Sequence, residues 1–316
     1  MEPFDISDNV FEGIASNAIL TVPEGTKSAY QSKKGWKSFQ TIEESVMPGN
    51  RFEFNGINYI IGEGNNVSVT QRSERYSGDV VIPSHVLYKT INYTVTSIGP
   101  DAFGNYCLEM TSITIPPTVT SIEEDAFDTC MSLTSVYITD LEAWCKIKFI
   151  SSPFDNAQHF FLNGKEIVDL VIPDKITSIN TRTFRGCRCL TSVTIHKNVT
   201  SIGENAFSNC NSIKDVYCYA ESIPTTNKYA FYYTPTESAT LHVPDNMVEA
   251  YKQVYPWNSF GTIVGLSNTG IKPTKNDNEK SDVLIFDMQG NKLDNVHKGV
   301  NIIRQKDGKT KKVVVR

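Results

Sequence analysis

No stretch of this sequence approaches the roughly 20 consecutive apolar residues that a helix needs to cross a bilayer, so no transmembrane segment is expected. A basic stripe is missing too. The formal net charge is -5 and the Lys and Arg residues are scattered, which removes the electrostatic ground for a nucleic-acid partner. Histidine is scarce, and His85, His159, His196, His242 and His297 stand far apart, none at metal-ligand spacing. Cys187 and Cys189 are one residue apart but have no second pair at zinc spacing, so no metal site is expected. Neither a GxSxG elbow, a phosphate-binding loop nor a dinucleotide fingerprint occurs, and neither catalytic residues nor a cofactor are expected. The seven cysteines make an odd count that a fully paired disulfide framework does not fit. What remains, with 40% hydrophobic and 21% charged residues over 316 positions, is a chain able to bury a sizeable core.

The sequence does have a repeat. VTSIGPDAF from Val95, VTSIEEDAF from Val119, ITSINTRTF from Ile176 and VTSIGENAF from Val199 read almost alike. Each is followed by a second block, CLEMTSITI, CMSLTSVYI, CRCLTSVTI and CNSIKDVYC. Aligned on these blocks, Cys107, Cys130, Cys187 and Cys210 share one column, Met110, Leu133, Leu190 and Ile213 the next, and Ile113, Val136, Val193 and Val216 a third. A free thiol behaves as a small hydrophobe, and the cysteine column is read as buried and unbridged. Every block ends apolar, any, apolar, as in Val136-Tyr137-Ile138, and period-two alternation predicts a short strand with one face in a core. Pro116 and Pro173 follow such strands, where a missing donor ends a ladder at little cost. Ala102-Phe103, Ala126-Phe127 and Ala206-Phe207, with Thr183-Phe184 as the variant, are expected to fill the interior. One repeat cannot bury its apolar edge alone, whereas stacked copies bury it continuously.

The repeat length of 23 or 24 residues is that of the leucine-rich repeat class, and the pattern VTSIGxxAFxxCxxLTSVxIP resembles the BspA-like leucine-rich repeats of bacterial surface proteins and adhesins. The resemblance runs from Val80 to about Ala220. Within it, the stretch from Thr139 to Pro173 is an insertion similar to a recurrent island between such repeats, after which DLVIPDKITSI resumes the stack.

A second duplication frames the first. Leu20, Val22, Pro23, Ala29, Tyr30, Trp36, Phe39 and Ile42 recur 221 positions later as Leu241, Val243, Pro244, Ala250, Tyr251, Trp257, Phe260 and Ile263. Both copies resemble the closing element of the family's modules, since a solenoid end needs a cover for its last rung. The start, MEPFDISDNVF, lacks the basic-then-apolar pattern of a secretory signal, and the chain is expected to begin inside a longer array. Residues 1–46 are read as the cap of a preceding module and 51–266 as the solenoid with its own cap, with Arg51 to Thr94 opening it. Residues 267–280 read as a polar linker and 281–316 as a small all-β domain with turns at Gln289-Gly290, Lys298-Gly299 and Asp307-Gly308. This last segment resembles the C-terminal sorting domains of type IX secretion cargo. The fold class expected is thus a β-rich leucine-rich repeat solenoid with short helical cap elements and a small all-β C-terminal domain.

Carboxylates such as Glu123, Glu124 and Asp125 lie where a solvated turn is expected. The outward strand positions Thr114, Tyr137, Val171, Thr194 and Tyr217, continued by His242 in the cap, are expected to form one row and are the candidate binding residues. Tyrosines in ordered rows suit recognition, and they also suit a strand by plain β-propensity; both readings stand at this point. The resemblance implies a non-enzymatic protein at the bacterial outer surface or outside the cell. Its partner would be a host extracellular or matrix protein, another cell-surface protein, or a glycan. The other reading is a structural spacer with no ligand of its own.

Overall fold

The computed structural model describes residues 3–23, 25–45, 48–104 and 107–269, and beyond them the strands Val283–Phe286, Lys292–Leu293, Gly299–Gln305 and Thr310–Val315. Each repeat yields two strands of unequal length. In Ser135–Ile138 the side chains of Val136 and Ile138 are buried while Ser135 and Tyr137 are half-buried, which is the alternation the sequence predicts. The TSI segment before it gives the two-residue strand Ser121–Ile122, with Ile122 buried. Long strands stack parallel on long strands and short on short, so the repeats build two kinds of sheet around one hydrophobic cluster.

The core columns follow from register. Ile113 pairs with Val136 and Val136 with Phe160. Further on, Leu170, Val193, Val216, Leu241 and Ile263 face one another in turn. Ile113, Val136, Val193 and Val216, the expected column, are all fully buried. The Ala-Phe corners supply a ladder of rings: Phe103 on Phe127 at 5.3 Å, Phe184 on Phe207 at 5.4 Å and Phe207 on Phe231 at 5.6 Å, each pair near parallel. Cys107, Cys130, Cys187 and Cys210 are buried and free. Several threonines of the TS pairs have a structural task, since their hydroxyls donate to the main chain of the preceding rung. Thr120 bonds the Thr96 carbonyl, Thr134 that of Thr111 and Thr200 that of Thr177, each at 3.1 Å. Each such bond contributes on the order of 1 kcal/mol.

The insertion is a rung of a different build. Asp140 accepts from the Ala143 N–H at 3.0 Å and caps the helix Leu141–Lys146. That helix buries Trp144 and Cys145; the indole donates to the Thr183 carbonyl at 3.2 Å, and burial pushes the Cys145 thiol up to about 12. Lys148–Phe149 then extends the short-strand sheet from Ser121–Ile122, and His159–Leu162 extends the long-strand sheet from Ser135–Ile138. At this point His159–Leu162 folds back on Lys165–Glu166 as an antiparallel hairpin, and a new long-strand sheet starts at Asp169–Val171. The sheets are split while the core runs on, with Phe160 and Phe184 6.5 Å apart across the junction.

Both cap copies fold alike: a strand, a short helix, a 3-10 turn and a second strand parallel to the first. Ile19–Pro23 pairs with Thr41–Ser45, and Thr240–Val243 with Thr262–Gly265. Ahead of the repeats, Arg51–Phe54, Ile57–Ile61 and Asn66–Thr70 form an antiparallel meander whose last strand runs parallel to Ile91–Ile98. The chain divides into two compact units, residues 1–265 and 266–316. In the second, Lys292–Leu293, Val283–Phe286, Gly299–Gln305 and Thr310–Val315 lie antiparallel in that order. Most of the expected linker, and nearly all of the three expected turn dipeptides, fall outside the described residues.

Candidate functional site

The long-strand sheets carry the candidate residues, and the register sets them in two rows rather than the one expected. Thr114 faces Tyr137, and Tyr137 faces Phe161 of the insertion. Val171, Thr194, Tyr217 and His242 form the second row, which ends on Val264. The hairpin of the insertion divides them. Val171 is 55% exposed, and the other five are half-buried because they pack on their row neighbours.

Each row holds one pair of stacked rings. Tyr137 and Phe161 lie 4.6 Å apart with planes 12° from parallel, and Tyr217 and His242 lie 4.4 Å apart at 8°. Ring pairs across adjacent strands stabilise a sheet and at the same time fix flat surfaces with little rotamer freedom left to lose. Each pair comes with a His–carboxylate contact, next to the first pair and through the histidine of the second. His159 Nδ1 is 2.6 Å from Glu166 across the hairpin, and His242 Nε2 is 2.8 Å from Asp215 on the neighbouring strand. Burial, and secondarily the Asp215 carboxylate, push the Tyr217 phenol above its ordinary value. Two residues back along the strands runs a polar row. Ser112 donates to Asp79 at 2.6 Å and Ser192 to Asp169 at 2.7 Å, with Thr111 and Thr191 adding a second bond to each carboxylate at 3.1 Å. The face is therefore a strip of rings flanked by fixed acceptors.

Sequence reasoning missed Phe161, His159 and Glu166 because the insertion lacks the TSI signal by which strands were found. It also missed the partner of His242, since Asp215 lies 27 positions away. A different surface lies along the short strands Ser178–Ile179, Ser201–Ile202 and Thr225–Thr226. It is an open groove of about 500 Å³, lined by Ser178, Asn180, Ser201, Glu204, Thr225 and Asn227 among others. That groove holds hydroxyls and amides, with Ser201 donating to Ser178 at 2.8 Å, and no ring lines it.

The His–carboxylate pair of the second row resembles part of a hydrolytic triad in composition only. With Nε2 of His242 on Asp215 and Nδ1 buried without a partner, neither ring nitrogen is left to activate a nucleophile at the surface. Among the described residues no group of three or more His, Cys, Asp or Glu is placed to hold a metal ion, and no helix is long and apolar enough to cross a membrane.

Parallel rungs of 23 or 24 residues, each giving a strand, an aromatic corner and a buried apolar column, define a leucine-rich repeat protein. The chain belongs to the BspA-type leucine-rich repeat family: the family model, a BspA type leucine rich repeat region, matches in six copies over residues 86–152 and 156–261, more than half of the sequence. The match runs on into the cap as far as Gly261, past the expected limit near Ala220, and takes in much of the insertion. Among solved structures the chain is similar to a leucine rich cell surface protein from Faecalibacterium prausnitzii, with 22% identity over 71% of this chain and 74% of that one, at a TM-score of 0.35. It is also similar to a leucine-rich repeat protein from Bacteroides capillosus, with 23% identity, coverage of 53% and 97% and a TM-score of 0.30. The pneumococcal vaccine antigen PcpA is a more distant likeness at 13% identity, coverage of 64% and 84% and a TM-score of 0.25. No curated protein matches the chain.

Proposed function

We propose that the protein is a non-enzymatic, adhesin-like binding protein of the bacterial outer surface, which presents its long-strand face to an extracellular protein partner. The observation that carries this reading is the recurrence, in two separate sheets, of a near-parallel ring pair accompanied by a His–carboxylate contact, His242 belonging to both in the second sheet. Core packing asks only for the alternate residues of these strands. Their outward neighbours are free to be small and polar, as Thr114 and Thr194 are. Aromatic rings with a polar rim are what protein interfaces concentrate. Surface association is supported by the family, and export or anchoring is assigned to the segment 281–316 on its resemblance to sorting domains. Deleting that segment should abolish surface delivery in a host with the cognate machinery and leave the solenoid's melting temperature unchanged; delivery that survives would remove the assignment.

The recognition test uses purified matrix and cell-surface proteins immobilised singly, with the full chain in solution. Binding to at least one is expected, weakened tenfold or more by Tyr137→Ala/Tyr217→Ala. A second reading, the structural spacer, draws on the half-burial of the same tyrosines, because cross-strand ring pairs stabilise sheets whether or not a ligand exists. Loss of stability without any bound partner would favour the spacer.

A further inference from the structure

The last rung departs from the others at its corner. Two residues after the buried Phe127, Phe184, Phe207 and Phe231 the chain turns left-handed: Thr129 at φ 58°, Gly186 at 79°, Asn209 at 57° and Tyr233 at 58°. Glycine carries no steric cost there and asparagine tolerates the region. Thr129 has a local reason for its place, since its hydroxyl donates to the Gly104 carbonyl at 2.7 Å. Tyr233 has neither excuse. Its side chain is large, it is 68% exposed, and its ring contact is with Tyr232, itself 47% exposed. Residues held in a disfavoured backbone region persist where surroundings impose them and gather at functional sites.

Around Tyr233 the exposed rings form a patch. Tyr232 and Tyr233 lie 4.0 Å apart, with their hydroxyls 3.2 Å apart. Tyr229 meets Tyr232 edge-on at 5.5 Å. From Tyr229 to Thr236 the chain holds no Asp, Glu, Lys or Arg. The nearby cation, Lys228, sits at the edge with its ammonium 4.7 Å over the Tyr229 ring. The centre of the patch therefore offers no charge to an acidic or basic partner. It is not an apolar docking surface either, because every ring ends in a hydroxyl. Flat faces with hydroxyl edges complement a sugar, whose axial C–H bonds meet the negative face of a ring while its own hydroxyls meet the phenols. The rings already hold one another, so little rotamer freedom is lost on binding.

The geometry points to a binding site for a neutral oligosaccharide at Tyr229, Tyr232 and Tyr233, separate from the long-strand face. The test presents the full chain to an array of neutral, sialylated and sulfated oligosaccharides, followed by titration calorimetry with the neutral oligosaccharide that binds best. Neutral sugars should bind, and Tyr232→Ala/Tyr233→Asn should weaken the titrated sugar tenfold or more. Tyr233→Asn alone should weaken it while leaving the melting temperature equal or higher, because asparagine tolerates the left-handed backbone that tyrosine does not. Tyr137→Ala/Tyr217→Ala should leave sugar affinity within twofold, so the failure of this site and of the long-strand face are told apart. Absence of neutral binders, selection of acidic sugars only, or equal affinity in the Tyr232/Tyr233 variant would overturn the proposal.

Discussion

The motif at residues 20–42 and its copy at 241–263 carry the same key side chains and meet different surroundings. In the second copy Tyr251 and Trp257 are fully buried, and Trp257 packs on Phe231 of the last rung at 5.5 Å. In the first, Trp36 and Phe39 are half-buried, and the rings against Trp36 include Phe4 and Phe11 from the chain just ahead of the motif. Even the indole nitrogens differ: Trp36 donates to the Phe4 carbonyl at 2.9 Å, whereas Trp257 is buried with no partner. The second copy has given up a hydrogen bond to be covered by a rung. One further pair shows the same thing. Gly261 has no room for a side chain, because a Cβ there would overlap the Glu237 carbonyl; the matching position in the first copy is Gln40, which is exposed. The motif sets its own strands and turns, and the rung beneath it decides how much of it becomes core.

That contrast can be broken by substitution. Trp257→Ala should cost roughly 3–5 kcal/mol in chemical denaturation, the usual range for emptying a fully buried large aromatic site. Trp36→Ala should leave the main transition unmoved, since its cluster of Val22, Tyr30 and Ile42 is separate from the solenoid core. Equal effects would mean that the two copies are equally integrated. Gly261→Ala should come next, at about 1–3 kcal/mol for overpacking against a main-chain carbonyl, while Gln40→Ala should stay within about 0.5 kcal/mol. Hydrogen exchange sharpens the comparison without mutation: amides of Leu241 and Val243 should exchange near the global rate and those of Leu20 and Val22 much faster, because a three-residue cluster opens at low cost. A small stability effect is also expected on the long-strand face. Tyr137→Ala should cost on the order of 1 kcal/mol or less, well below Phe207→Ala at about 3–5 kcal/mol.

The regular part of this fold was legible because one constraint is repeated. A rung must place an apolar pair on its strand, a ring at its corner and a small apolar side chain behind it, and residues 95–218 show each requirement four times. The insertion was not legible at the same depth. Its strand His159–Leu162 continues the sheet through Phe160, but that rung buries Trp144 from a helix where others bury an Ala-Phe corner. Hence Phe161, the stacking partner of Tyr137, went unseen, and six candidate residues were read as one row where a hairpin makes two. The tyrosine patch was hidden for a simpler reason. Thr234 stands where the earlier rungs have cysteine, so the column seemed to end at Cys210, although Ala230-Phe231 repeats the corner 24 residues after Ala206-Phe207. Pairings such as Asp215 with His242 depend on which strands become neighbours, and become visible only once register is known.

The central claim is that the stacked rings of the long-strand face serve recognition beyond their share in stability. The most direct measurement compares Tyr137→Ala/Tyr217→Ala with the parent chain on two readouts, chemical denaturation and affinity for an immobilised extracellular protein that the parent binds. The account predicts a stability loss of about 2 kcal/mol or less together with a tenfold or greater loss of affinity. Unchanged affinity in a variant that is measurably less stable would contradict it and leave this face as scaffold.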